Sequence, residues 1–296
     1  LSLSLSTLFF SISGHTLPTM TAAAWKPPGP LLLLLLKPAI LLLPLCFLAL
    51  LLLLSRNPNA NPVDVDFDLP PSGSLGGDIR IRPGYRSYGD YIARQLNKTL
   101  DPRLRHLWTT RDWERKVAVF AAFFRRLQGE GLLSNTSRAL CVGARTGQEV
   151  AALRRVGVGD AVGMDLVPAP PLVVAGDFHR QPFPDGSFDF EFSNVFDHAL
   201  LPGRFVGEVE RTLRPGGVCV LHVAVRRRSD RYSANDLFSV EALVGLFRRS
   251  ELVGVRKVDG FGLNTEVVMR KKEKREGEGE QPPAPEETRH RRRRMS

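Results

Sequence analysis

The sequence predicts an α/β domain built on a doubly wound, mostly parallel sheet with a closing antiparallel strand, preceded by a single N-terminal membrane helix. Three observations predict it. Between about Tyr85 and Lys272, short apolar runs alternate with helically spaced segments, the pattern of strands joined by crossover helices. A glycine-punctuated turn, "GARTG", follows one of these runs and opens directly into a helical pattern. Upstream, Leu31–Leu54 is almost wholly apolar, broken only by Lys37-Pro38 and Pro44. With Leu31–Leu36 included, that run reaches the roughly 20 residues needed to cross a bilayer.

Taken in order, residues 1–30 read as a leader with no structure assigned to it, since the first methionine is Met20. Residues 31–54 read as an uncleaved signal anchor: no small-x-small cleavage site follows them, and they are too poor in Ser and Arg for a transit peptide. Lys26 and Lys37 precede the main apolar run and three aspartates follow Arg56. The positive-inside rule then favours a cytosolic N-terminus and a lumenal main domain, and the expected location is the Golgi or another endomembrane. Residues 55–84, rich in Pro, Asn, Gly and Asp, read as a linker. The domain proper spans 85–272. Residues 273–296 are charged and Pro/Gly-rich, a composition that cannot bury enough apolar surface to order itself.

Within the domain, "YGDYIARQLNKTL" and "RDWERKVAVFAAFFRRL" have helical spacing, with Val117, Phe120, Phe124 and Leu127 on one face of the second. Strands are predicted at 139–142, 161–164, 172–174, 188–192 and 217–225, helices at 147–156, 205–213 and 237–249, and a closing strand pair at 253–258 and 266–270. "VPAPP" stands as a proline loop where a crossover helix is otherwise expected.

Ligands of such sheets gather at the carboxyl ends of the strands. That rim receives Gly143 and Gly147 after the first strand, Asp165 after the second, Asp177 after the third, and Ser193-Asn194 after the fourth. Glycines let backbone approach a ligand. A carboxylate at Asp165 suits the two hydroxyls of a ribose. Asp177 suits an exocyclic amine of a purine, with Phe178 beside the ring.

These residues resemble the class I S-adenosylmethionine-dependent methyltransferases, a Rossmann-like superfamily. "LCVGARTG" stands where that family has its glycine motif, "VGMDLVP" where it has its ribose acid, and "VAGDFHRQPFPDGSFDFEFSNVFDHAL" resembles its adenine-side acid and fourth strand. "EVERTLRPGGVCVLHV" is similar to its helix, turn and fifth strand. The likeness is nearest to methyltransferase-type-11-like domains of plant proteins. It implies S-adenosylmethionine as cofactor and an unidentified methyl acceptor. Two positions depart from the family: Cys141 replaces the acid ending the first strand, and Arg145 replaces the central loop glycine. On physical grounds Arg145 is expected to pair with the cofactor's carboxylate, and Glu149 either supplies the missing acid or is simply a helix N-terminal residue favoured by the dipole. Asp197 and His198 are the expected catalytic pair, with His179 a further base and His222 a packed core residue.

The formal charge of +10 admits nucleic acid as a partner, but no basic stripe interleaved with aromatics appears, so nucleic-acid binding is not expected. The three cysteines have neither metal nor redox spacing, and no metal site is expected. Oligomeric state is not readable. A non-catalytic scaffold of the same fold at a membrane stands as the alternative, favoured by Cys141 and Arg145.

Overall fold

A computed structural model describes Phe67, Leu69 and residues 74–75, 77–227 and 230–273. The leader, the apolar run 31–54 and the tail from residue 274 lie outside the described residues. Among the described residues no helix is long and apolar enough to cross a membrane.

The elements, in chain order, are strands β1 (Ser74–Leu75) and β2 (Ile79–Ile81), helices α1 (Tyr88–Thr99), α2 (Pro102–Thr109) and α3 (Trp113–Gly129), then strand β3 (Ala139–Val142). Helix α4 (Gln148–Arg155), strands β4 (Ala161–Asp165), β5 (Val173–Ala175) and β6 (Phe188–Ser193), and a 3-10 turn (Phe196–His198) follow. The chain closes with α5 (Pro202–Thr212), β7 (Leu213–Val223), β8 (Asn235–Leu237), α6 (Val240–Val244), β9 (Ser250–Gly260) and β10 (Leu263–Lys271).

Seven strands form one sheet in the order β5-β4-β3-β6-β7-β10-β9. The first five are parallel; β10 runs antiparallel to both β7 and β9. The expected doubly wound sheet with an antiparallel closure is therefore present. Its central strands are apolar on both faces, as a sheet sandwiched by helices requires. One face packs Phe120, Phe124 and Leu127 of α3 and Val150 and Leu153 of α4 against Phe190, Phe192 and Val220. The other packs Tyr88 and Tyr91 of α1 and Phe205, Val206 and Val209 of α5 against Leu140, Val142 and Leu221.

Local chemistry sets the helix starts. Ser87 caps α1, its side chain accepting from the Asp90 N–H. Asp101 caps α2, accepting from the N–H groups of Arg103 and Leu104, with Pro102 at the first turn where a missing N–H costs nothing.

Two expectations need correction. The segment 55–84 is not linker to its end: Ile79 and Ile81 are buried in β2, which pairs antiparallel with β8, and Phe67 packs edge-on to Tyr88 at 4.6 Å. The linker reading followed composition, which misses a three-residue strand whose partner lies over 150 residues away. The helix expected at 237–249 is also absent as such. Leu237 belongs to β8, and α6 covers only Val240–Val244, because pairing of Leu237 with Ile79 holds the chain extended until the Ser239 cap. Helix α2 was not anticipated.

Candidate active site

The loop from β3 to α4 is the centre of the site. Gly143, Arg145 and Gly147 all have positive φ, at 75°, 50° and 95°. Arg145 thus keeps the left-handed path natural to glycine, at a cost of about 1–2 kcal/mol for a residue with a β-carbon. The loop is sewn to the end of β4: Gly143 and Ala144 donate to the Met164 carbonyl at 2.8 and 3.0 Å, and the Arg145 N–H donates to Asp165 Oδ2 at 2.9 Å. Gly143 also answers a packing need, since a β-carbon there would run into Val195.

The Arg145 guanidinium lies over the Trp108 ring at 5.5 Å, and no carboxylate among the described residues forms an ion pair with it. Glu149, in the first turn of α4, is buried beneath the loop. Its Oε1 accepts from Asn194 Nδ2 at 3.2 Å, while Oε2 has no hydrogen-bond partner among the described residues. Burial raises its pKa, opposed by the nearby charges of Arg145 and Lys116. Burial, and then Arg145, bring the Lys116 ammonium down to about 8. Cys141 is buried close enough to feel Glu149: burial, then that carboxylate, push its thiol pKa up, so it stays a thiol. An acid in the first turn of α4 therefore lies near the cysteine that replaces the strand-end acid.

A cleft opens at this rim, lined by Gly143, Arg145, Asp165, Phe178 and His198 from the sequence expectations, and by Gln95, Lys98 and Trp108 that the sequence reading missed. It encloses about 50 Å³. A nucleoside needs several hundred, so the cleft must widen for one to enter.

His198 is held in one tautomer. Gln95 Nε2 donates to the Tyr232 carbonyl at 2.8 Å, which turns Gln95 Oε1 towards His198 Nδ1 at 3.0 Å. An amide oxygen only accepts, so Nδ1 carries the proton and Nε2 presents a lone pair. Lys98 Nζ faces that lone pair at 3.2 Å and is itself paired with Asp230. Burial lowers the pKa of both His198 and Lys98, and a neutral imidazole is the form a base requires.

Other expected site residues are not brought to the cleft wall. Asp177 accepts from the Tyr88 hydroxyl and, at 2.9 Å, from the His179 N–H. Burial works to raise its pKa, but the bonds of His179 and Tyr88 outweigh it and hold the carboxylate below its ordinary range. The buried Tyr88 hydroxyl needs an acceptor, and Asp177 is it. His179, expected as a further base, is fully buried, its Nε2 accepting from the Leu201 N–H at 3.1 Å. Ser193 Oγ is spent on the Val142 carbonyl at 3.0 Å, and Asn194 on Glu149. Asp197 accepts from Ser233 Oγ at 2.5 Å, which fastens the 3-10 turn to the chain before β8. His222 is a packed core residue, as expected, bonded to Glu266 at 2.9 Å. No group of three or more metal-ligating side chains occurs among the described residues.

Comparison with known proteins agrees with this geometry. The methyltransferase domain family is matched over residues 140–221. A 24-methylenesterol C-methyltransferase 2 of Oryza sativa subsp. japonica is 39% identical over 88 residues, 29% of this chain and 24% of that protein. The chain thus spans about a quarter of the length of this curated relative. Among solved structures, a Burkholderia thailandensis 1,6-didemethyltoxoflavin-N1-methyltransferase with 1,6-didemethyltoxoflavin and S-adenosylhomocysteine bound has a TM-score of 0.50 at 18% identity, covering 66% of this chain and 95% of that one. A Haloferax volcanii putative methyltransferase in complex with the Trm112 activator has a TM-score of 0.46 at 17% identity, covering 62% and 97%. The left-handed glycine-type loop, the acid at the end of the neighbouring strand and the parallel strands β4 to β6 all fall in the segment 140–221, which matches the methyltransferase domain family.

Proposed function

We propose that this chain transfers the methyl group of S-adenosylmethionine to an acceptor held beside His198. The observation that carries this reading is the loop itself. Arg145 tolerates a left-handed φ of 50° while its N–H stays bonded to Asp165, so a loop shape suited to a nucleoside cofactor survives the loss of its central glycine.

The residues present fit the cofactor. Asp165 is the acceptor for ribose hydroxyls, Phe178 flanks the base, and the unpaired Arg145 guanidinium meets the carboxylate. Glu149, with a buried oxygen lacking a partner, meets the ammonium. When bound, S-adenosylmethionine supplies an activated methyl group on a sulfonium, so the protein's work is alignment and exclusion of water. His198 Nε2 takes the proton that the acceptor atom releases as its bond to the methyl group forms. For that, Lys98 must turn from Nε2 towards Asp230 alone.

A second reading, a non-catalytic scaffold, draws on Cys141 and on the narrow cleft. Calorimetry with S-adenosylhomocysteine on the full-length chain separates the two. Saturable micromolar binding that Asp165→Ala weakens about thirtyfold supports the enzyme; no heat at millimolar ligand supports the scaffold. The acceptor is not identified by these residues. Membrane anchorage through residues 31–54, and residence in the Golgi or another endomembrane, are parts of the same proposal. They rest on sequence alone, and alkaline carbonate extraction with glycosidase sensitivity tests them.

A further inference from the structure

Beside the cleft lies a much larger groove of about 1060 Å³, between the small sheet and the start of α1. Six arginines line it, Arg80, Arg82, Arg94, Arg226, Arg227 and Arg231, against two aspartates, Asp230 and Asp236. Both acids are already taken. Asp236 receives Arg80 at 2.9 Å and Arg82 at 2.6 and 3.0 Å, and Asp230 is paired with Lys98.

Arg80 and Arg82 share Asp236, while the other four arginines are placed by the fold without an ion pair among the described residues. Arg226 Nε donates to the Phe238 carbonyl at 2.8 Å, Arg94 to the Arg231 carbonyl at 2.6 Å, and Arg231 to the Tyr232 hydroxyl at 2.7 Å. Each of these bonds uses one donor of a five-donor fork, on a neutral acceptor, and leaves the charge unpaired. Arg227 has no hydrogen bond or ion pair among the described residues. Arg226 holds a left-handed φ of 53°, a backbone cost of about 1–2 kcal/mol that points to a fixed position at the rim. Unpaired guanidinium forks converging on one concavity match the tetrahedral, multiply charged oxygens of phosphate.

We propose that this groove binds a phosphate-bearing molecule, and that it receives the anionic end of the methyl acceptor. The first half stands on the groove alone. The second rests on the methyltransferase reading and on Lys98, which bonds to Asp230 on the groove side and faces His198 Nε2 on the cleft side. Single-stranded nucleic acid is disfavoured because one face of Tyr85 and one of Phe238 are already occupied by Arg94 at 5.7 Å and Arg80 at 5.5 Å, which leaves less ring surface for base stacking.

The test uses the full-length chain in neutral detergent micelles and inorganic pyrophosphate as probe. Saturable binding is expected at near-physiological salt, weakening as salt rises. Arg227→Gln with Arg231→Gln should weaken it at least about tenfold, the corresponding Lys pair should restore most of it, and neither should change S-adenosylhomocysteine affinity. Vesicles containing phosphatidic acid in phosphatidylcholine form a second arm. Tighter binding to them than to pyrophosphate at matched phosphate supports the proposal with a lipid headgroup as the source. Absence of binding to both probes, or pyrophosphate affinity indifferent to the double Gln variant, overturns it. So does displacement of pyrophosphate by a single-stranded RNA at far lower concentration. S-adenosylhomocysteine titrated on the same sample reports separately on the cofactor site.

Discussion

Glu149 and Glu266 are both buried glutamates, one at the start of α4 by the carboxyl rim of the parallel strands and one on β10 in the antiparallel flank, and their surroundings treat them oppositely. Glu266 on β10 accepts from His222 at 2.9 Å and from Arg126 at 2.5 Å. Arg256 Nε lies 2.9 Å from its other oxygen, close enough for an ion pair though off the hydrogen-bond line. Burial works to raise its pKa, but the bonds from His222 and Arg126 win and lower it. Glu149 has one neutral amide donor and an oxygen without a partner, and its pKa is raised. The antiparallel flank answers its own charges, whereas the rim leaves cations and an acid near one another but unjoined. Unmet polar demand at the rim is what a ligand satisfies. An orphan oxygen alone does not mark a site. Glu191 also has one, but burial pushes its pKa up to about 8, so it lies in the core as a neutral acid bonded to Thr212.

The comparison breaks most readily at Glu266. Glu266→Ala leaves Arg126, Arg256 and His222 facing a void, and we expect a loss of about 3 kcal/mol in urea unfolding. S-adenosylhomocysteine affinity of the folded protein should be unchanged. An unaltered unfolding midpoint would show the flank's charges to be ornamental.

Asp165→Ala should do the reverse. Removing the acceptor for the ribose hydroxyls costs about 2 kcal/mol of cofactor binding, roughly a thirtyfold fall in affinity by calorimetry. Stability should drop by about 1 kcal/mol, because two loop N–H groups lose their acceptor, that of Arg145 at 2.9 Å and that of Val167 at a long 3.5 Å.

The pH dependence sharpens the contrast. Glu149 has a raised pKa in the folded state, so above the unfolded carboxyl range the folded protein holds a proton that the unfolded chain has lost. Its contribution therefore falls as pH rises through that window. Glu266 has a lowered pKa; its contribution is present above the unfolded value and is lost as pH falls through the folded one. Glu149→Gln should flatten the decline above the unfolded carboxyl range in urea midpoints taken from pH 4 to 8. A steeper decline would reverse the assignment.

The smallest effect is expected at Arg145. Arg145→Gly relieves the left-handed strain but adds glycine's entropy to the unfolded chain, so stability should move by less than about 1 kcal/mol. Affinity for S-adenosylhomocysteine should fall about threefold as an exposed ion pair is lost. A rise would show that the arginine obstructs the cleft.

Much of this was legible in the chain itself. The apolar runs and glycine turns specify seven strands and their helices because a strand buried on both faces must be apolar throughout. Asp165 and the glycine loop were readable for the same local reason: strand, turn and helix follow one another within a few residues. What the sequence left open was every contact between distant segments. The tautomer of His198 depends on Gln95 and Lys98, about a hundred residues upstream. Asp177 looked free until Tyr88 claimed it. Trp108 gained a role only when α2 laid it beneath Arg145. The arginines of the groove come from three stretches that only the pairing of β2 with β8 brings together. Hydrophobic periodicity encodes which face of an element is buried, and so determines the architecture. Which polar atoms end up sharing a proton is decided by tertiary packing to within a few tenths of an ångström, and no local pattern carries that information.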